Sequence, residues 1–433
     1  MHYRDLLAVL VFTLAFVLML SYSNAEDTET YIDDLFSEEE YPSDMDTLEE
    51  FIQSYYLLLD SDEYLNQFKF INTDKNRFYG DIKALKSFYE KLLELRSGLR
   101  NKVSVFQLGD SHIQSGYFSG TARSSLQKYY GNAGRGLVFP LRLAGTNQPD
   151  DYRISSSGGI SRINSERGIC GYVLAAADGA NLELTTNNFY GNDNSFSKLS
   201  LITSAPGLKA TIKTNVGEAE TIDLKLGEYH YSSSSWQNPT RSVSLSLQGD
   251  SSRLYALLLE NEQPGLQFHS TGINGAGFYN LCDQNLLFQQ IGMLNPDLVI
   301  ISLGTNDAQG NYRNDVFSAN LEKFMANLRK SNPFVPVLFT LPPDSNKRGR
   351  HNSDLSKVEK AIREYAKDNN CAWWNLSEVM GGSSSVGKWR NQQMASKDLL
   401  HYTPKGYMLQ GYLFYQAFIK SYKSFSEKPA KRQ

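Results

Sequence analysis

Four short motifs carry, in chain order, residue types that together can open an ester. They are Gly109-Asp110-Ser111-His112, Ile273-Asn274-Gly275-Ala276, Gly304-Thr305-Asn306-Asp307 and Asp398-Leu399-Leu400-His401. A serine hydroxyl is a weak nucleophile near neutral pH. It needs a base within hydrogen-bond reach, and that base needs an orienting partner. Ser111 supplies the hydroxyl. The base must come from His2, His112, His230, His269, His351 or His401. His112 adjoins Ser111, and neighbouring side chains on a tight turn point apart, so it is expected to line the pocket. His230 and His269 lie in or beside a β-rich segment, and His351 follows the charged loop Lys347-Arg348-Gly349-Arg350. His401 stands three residues after Asp398, a spacing that in a loop lets the carboxylate take the imidazole Nδ1–H and fix the tautomer. His401 is therefore assigned as base and Asp398 as its partner.

Attack on a carbonyl creates an oxyanion that needs preorganised donors. The expected donors are the Ser111 backbone N–H, the Gly275 backbone N–H and the Asn306 side-chain amide, with Gly272 and Gly277 competing for the glycine role. Asp110 and Asp307 are expected to brace loops; with His112 they complete the pocket candidates. There is no HExxH, no tight His/Cys cluster, no P-loop and no dinucleotide fingerprint in a strand–turn–helix context, so neither metal nor cofactor is expected.

These residues need a scaffold. Residues 103–108 form a short apolar strand pattern ending at Gly109-Asp110-Ser111, and 112–130 read as helix, which places Ser111 on a strand-to-helix turn. Upstream, Leu85, Phe88, Leu92 and Leu95 line one face of a helix over 81–97. Beyond Gly272, strand patterns at 298–303, 335–341 and 372–376 alternate with helical patterns at 314–330 and 353–367, the latter with Ser353 as a possible cap. Thr403-Pro404 opens a last helix reaching about residue 422. This alternation predicts an α/β fold with a mostly parallel sheet covered on both faces, its site at the carboxyl ends of the strands. Between residues 150 and 265 the chain is richer in Gly, Ser, Asn and Thr, with short alternating runs. That pattern predicts a β-sandwich inserted into the α/β domain.

Composition sets the remaining bounds. The 433 residues are 41% hydrophobic and 21% charged with a net charge of −4, which is ordinary for a globular chain and gives no reason to expect a nucleic-acid partner. Residues 6–20 are apolar apart from Thr13, follow Arg4 and precede Ser23-Asn24-Ala25, so 1–25 is expected to be a signal peptide and the protein periplasmic or extracellular. A membrane partner is expected only if that segment stays uncleaved. Residues 26–60 are expected to form an acidic, disordered spacer, and 426–433 a basic tail. The hydrolase parts are then 61–149 and 266–425. Cys170, Cys282 and Cys371 are too few for a disulfide scaffold.

Ser111, Gly275, Asn306 and Asp398-x-x-His401 resemble the motifs of the GDSL, or SGNH, hydrolase superfamily. The resemblance implies a flavodoxin-like three-layer α/β/α domain. The usual leucine after the serine is His112 here. With Gly131-Asn132-Ala133-Gly134-Arg135-Gly136 and Met380-Gly381-Gly382, the Gly-Asp-Ser-His form is similar to the branch containing peptidoglycan O-acetylesterases, which carry an inserted carbohydrate-module-like β-domain. The expectation is an exported carboxylic-ester hydrolase removing O-acetyl groups from a glycan, its expected substrate partner, through an acyl-enzyme on Ser111. Two alternatives remain open: a glycan O-acetyltransferase using the same triad, and a glycan-binding protein with an inactive site.

Overall fold

The computed structural model describes residues 45–205, 209–215, 219–223, 227–249 and 252–427. The expected signal peptide, the acidic segment up to residue 44, and residues 428–433 of the basic tail lie outside them.

Five parallel strands form the centre: β1 (Lys102–Gly109), β2 (Gly265–Gly272), β3 (Leu298–Ser302), β4 (Val337–Thr340) and β5 (Ala372–Trp374). Their spatial order is β5-β4-β3-β1-β2, and Phe78–Tyr79 adds a short antiparallel strand beside β5. This is the flavodoxin-like order. The chain leaves β1 to one side for β2 and to the other for β3, so a crevice opens at the carboxyl ends of the strands flanking β1.

Strand alternation builds the three layers. Val103, Val105, Leu298, Ile300, Leu338 and Trp374 face one way and pack with Phe88, Leu92, Ala122, Leu126, Leu413 and Phe418. Those residues come from helices Lys86–Arg96, Tyr117–Tyr130 and Pro404–Ser426. Phe106, Leu108, Val299, Ile301, Val337 and Phe339 face the other way and pack with Phe288, Ile291, Leu321, Phe324, Val358 and Ile362. Their helices are Asn285–Leu294, Asn314–Ser331 and Ser353–Asp368. The last helix starts as its sequence directs, with Pro404 in the first turn and Thr403 Oγ1 accepting the Gly406 N–H at 3.3 Å. Ser353 is the first residue of its helix rather than the cap; Asn352 caps it by accepting the Asp354 N–H at 3.1 Å.

Between β1 and β2 run two antiparallel sheets. One contains Tyr152–Ser155, Asn181–Thr186, Lys209–Thr214, Ala219–Asp223 and Ser242–Gln248; the other contains Ile160–Arg162, Leu174–Ala176, Phe196–Ala205, Gly227–Thr240 and Ser252–Glu260. Leu182, Leu184, Val243, Leu245 and Leu247 alternate inward, as one buried face requires. Gly136–Val138 pairs with Ser252–Glu260, so antiparallel pairing begins soon after the helix that follows Ser111. The β-rich residues share one continuous apolar cluster with Phe106 and Leu108 of β1. A buried ion cluster reinforces this join. Asp151 accepts Arg123 Nη2 at 2.6 Å and Arg135 Nη2 at 2.8 Å. Burial opposes the Asp151 charge, yet the two guanidinium groups hold its carboxyl down at about 2.

The acidic segment is shorter than expected. Helix Met45–Leu59 buries Ile52, Tyr55, Tyr56 and Leu59. Their spacing forms an apolar stripe one helix face wide, and that stripe outweighs the local glutamates. All three cysteines are buried and unpaired by disulfides. Among the described residues no helix is long and apolar enough to cross a membrane.

Candidate active site

The crevice beside β1 gathers all four motifs. Asp110 follows β1 in an extended conformation, and its Oδ1 accepts the His112 N–H at 3.0 Å, capping helix Ser111–Gln114. Ser111 is therefore the first residue of a helix, and its N–H belongs to the amino-terminal set with no partner inside that helix. Gly109 lets the helix close over the strand, since a Cβ there would sit 2.2 Å from Ile113 Cγ1.

His401 arrives on a loop folded around Asp398. Asp398 Oδ1 accepts the N–H groups of Leu400 (2.9 Å) and His401 (3.0 Å), and Oδ2 accepts His401 Nδ1–H at 2.7 Å. This turn forces Leu399 into the left-handed region, φ +54°, a cost held by the surrounding bonds. Burial pushes the Asp398 carboxyl up, but the His401 side-chain bond and charge and the two backbone bonds outweigh it and hold it at about 2. A carboxylate on Nδ1–H assigns the other tautomer nitrogen as acceptor. That nitrogen, Nε2, lies 3.1 Å from Ser111 Oγ. The arrangement can take a proton from the serine and return it to a leaving group.

The expected donors lie on the two flanking loops. Gly275 follows β2 with φ +70°, and a Cβ there would meet nothing within 4 Å, so the glycine faces open space. Its competitors have packing duties: a Cβ on Gly272 would sit 2.0 Å from Gln114 N, and one on Gly277 2.6 Å from Asp307 Oδ2. Asn306, half-buried after β3, donates one amide hydrogen to Ala276 C=O at 2.8 Å, which leaves its second for an oxyanion.

The pocket candidates divide by role. Asp307 Oδ2 accepts the Phe278 N–H at 3.1 Å and ties the β3 loop to the β2 loop; burial pushes its carboxyl up to about 6. Asp110 is pushed up to about 7 by burial, against the His112 N–H and the His401 charge. His112 lies beside His401 with ring centroids 5.4 Å apart, but its Nδ1 meets Tyr407 Oη at 2.9 Å. Burial lowers its pKa to about 3, so near neutral pH it is an uncharged wall. His269 Nδ1 accepts the Leu137 N–H at 3.2 Å, and His351 sits on an exposed hairpin near Ser383.

Sequence reading missed the residues that hold the glycine loop. Gln114 Oε1 accepts the Asn274 N–H at 2.7 Å, while its Nε2 reaches Thr146 Oγ1 at 2.7 Å and Asn147 Oδ1 at 2.9 Å. Tyr279 Oη and Asn280 Nδ2 both donate to Gly275 C=O, at 3.0 and 3.1 Å. The peptide carrying the Gly275 N–H is thus pinned on both sides. Among the described residues no group of three or more His, Cys, Asp or Glu is placed to hold a metal ion.

Asn306→Ala should lower kcat on a small acetyl ester by roughly 10²–10³-fold with little change in KM, the usual size of one lost oxyanion donor. Asn306→Asp, similar in shape but unable to donate, should lose as much. Steady-state kinetics check this, and a loss under threefold in both variants would remove Asn306 from that role.

Residues 238–409 match the GDSL-like Lipase/Acylhydrolase family. Over that stretch, and in its motif order and fold, the chain is similar to the SGNH hydrolase superfamily of carboxylic-ester hydrolases. Among solved structures, a peptidoglycan O-acetylesterase superposes with a TM-score of 0.70 at 22% identity, covering 80% of this chain and 99% of that one. The acetylxylan esterase Axe2 from Geobacillus stearothermophilus superposes at TM-score 0.29 and 17% identity, over 37% of this chain and 73% of that one. A carbohydrate esterase family 3 protein from Talaromyces cellulolyticus gives 0.29 and 20%, over 37% of this chain and 73% of that one. No curated protein matches the chain.

Proposed function

We propose that the protein is an exported serine esterase that removes O-acetyl groups from a glycan, peptidoglycan or another polysaccharide. The observation that carries the reaction is the Ser111 Oγ–His401 Nε2–Asp398 alignment, at 3.1 and 2.7 Å. Support for an acetylated glycan comes from the peptidoglycan O-acetylesterase whose fold runs over 80% of this chain. Support for export comes from the apolar run at residues 6–20.

In this reading Ser111 Oγ attacks the acetyl carbonyl as His401 Nε2 takes its proton. The carbonyl π pair moves onto oxygen, and the oxyanion is held by the Ser111 and Gly275 N–H groups and the Asn306 amide. Its collapse breaks the bond to the sugar oxygen, which leaves as the alcohol with the proton from His401. Acetyl-Ser111 remains. Water, deprotonated by His401, attacks it through a second oxyanion; acetate departs and the proton returns to Ser111. Asp398 stays ionised and steadies the imidazolium in both halves.

The test is acetate release from an aryl acetate and from O-acetylated peptidoglycan. Release from both supports the reading. Release from the aryl ester alone would move the natural substrate away from this glycan. Release from neither without an added sugar acceptor would turn the assignment to acyl transfer or to binding.

A further inference from the structure

A groove of about 730 Å³ opens far from Ser111, among residues that include Asn132, Asp193, Ser195, Trp236, Gln237 and Glu262. Its place in the fold follows from the strands. Asn132 forms a parallel bridge with Leu266 near the start of β2, and Glu262 precedes that strand. Ser111 follows β1, whose Gly109 is in register with Gly272 at the other end of β2. At about 3.3 Å per residue the two ends of β2 lie roughly 23 Å apart. The groove therefore sits at the amino ends of the parallel strands and is separate from the catalytic crevice.

The groove is held in shape by its own bonds. Asn132 Nδ2 donates to Asp193 C=O and its Oδ1 accepts the Gly134 N–H, both at 2.9 Å. Asp193 accepts the Ser195 N–H at 3.0 Å, the Ser195 hydroxyl at 2.8 Å and Arg241 Nη2 at 3.2 Å. The strand carrying Trp236 bulges here. Ser235 pairs with Lys198 and Thr240 with Phe196, so residues 236–239 stand opposite the single Ser197. Bulges re-aim side chains. Trp236 is left partly exposed, with its ring seated edge-on against Phe196, centroids 5.7 Å apart.

The lining combines an indole, two carboxylates, amides and hydroxyls, and among the described residues it contains no lysine or arginine. An indole face covers the C–H face of a pyranose, while carboxylates and amides take its hydroxyls in pairs. Arg241 pairs with Asp193 at 3.2 Å, which leaves the lining with little net charge and suits it to an uncharged sugar ring rather than to a polyanion. The volume lies within the range of ligand clefts, about 300–1,000 Å³. We propose that this groove is a second, non-catalytic site for neutral pyranose units of a glycan strand. The proposal rests on the glycan reading of the enzyme. A polymer held at the amino ends of the sheet would raise the local concentration of acetylated units without occupying the active site.

The test is co-sedimentation with peptidoglycan sacculi, using Ser111→Ala protein so that no ester is consumed. This parent should sediment with the sacculi. Adding Trp236→Ala, or the surface pair Gln237→Ala and Glu262→Ala, should weaken retention at least tenfold. In the wild-type background both sets should hydrolyse an aryl acetate at the parent rate. The second set guards against a folding defect from removing the Trp236–Phe196 contact. A parent that does not sediment, or retention unchanged in both sets, overturns the groove. Failure of the esterase reading has a separate signature, absence of acetate release by the wild type.

Discussion

Ser111→Ala and His401→Ala should each lower kcat for acetate release by roughly 10⁴–10⁶-fold, and the double variant should be no slower than the worse single one. The two side chains act as one unit. Without the hydroxyl there is no acyl-enzyme, and without Nε2 the hydroxyl keeps its proton and attacks poorly. The remaining acceleration would come from the donors at Ser111 N, Gly275 and Asn306 acting on a water molecule. Both residues are buried, but neither fills the core: Ser111 is 7% exposed and His401 5%, at the mouth of the crevice. Ser111→Ala removes one oxygen and should leave the melting temperature within a degree or two. Single-turnover and steady-state kinetics, beside a thermal melt, check this. Either variant retaining more than about a hundredth of wild-type kcat, with an unchanged melt, would exclude the assigned pair.

The parts of this site legible in the sequence are those fixed by local chemistry. Gly109-Asp110-Ser111 ends an apolar strand, and such a turn exposes its serine whatever the rest of the fold does. Asp398 and His401 are close enough in sequence for one loop to bring them together. Four of the five parallel strands, and most of the helices over them, follow from apolar periodicity and from caps such as Thr403-Pro404; β2 does not, because His269, Ser270 and Thr271 break its apolar run. Other parts are set only by contacts distant in sequence. Gln114 looks like any polar helix residue until the β2 loop lays the Asn274 N–H on its Oε1 at 2.7 Å. Gly272, Gly275 and Gly277 are equivalent as letters; what surrounds each Cβ position separates them, and that depends on Gln114 and Asp307 arriving from elsewhere. Helix Met45–Leu59 lies in an acidic neighbourhood whose charges mask the Ile52, Tyr55, Tyr56, Leu59 stripe that buries it. The groove around Trp236 has no local signature, since a strand bulge and two remote loops build it.

Asp398→Asn should lower kcat by about 10⁴-fold while leaving KM for a small ester nearly unchanged. The carboxylate accepts three bonds in this loop, two from backbone N–H groups through Oδ1 and one from His401 Nδ1 through Oδ2. An asparagine can keep the backbone pair through its carbonyl oxygen. Its amide nitrogen then faces Nδ1 as a donor, which selects the tautomer bearing hydrogen on Nε2. That hydrogen points at Ser111 Oγ, so the base is blocked with the geometry intact. The same substitution has a second readout in acid. The Asp398 carboxyl is held at about 2 in the fold, below an unfolded value near 3.9, so its contribution to stability is present above the unfolded pKa and disappears as pH falls through about 2. Asp398→Asn should remove that part of the acid-unfolding profile, and loss of activity well above pH 2 in the wild type must come from another group. Equal activity of the two proteins near neutral pH would place the orienting role elsewhere. A lost rate with an unaltered acid-unfolding curve would show that the carboxylate steers the imidazole without stabilising the fold.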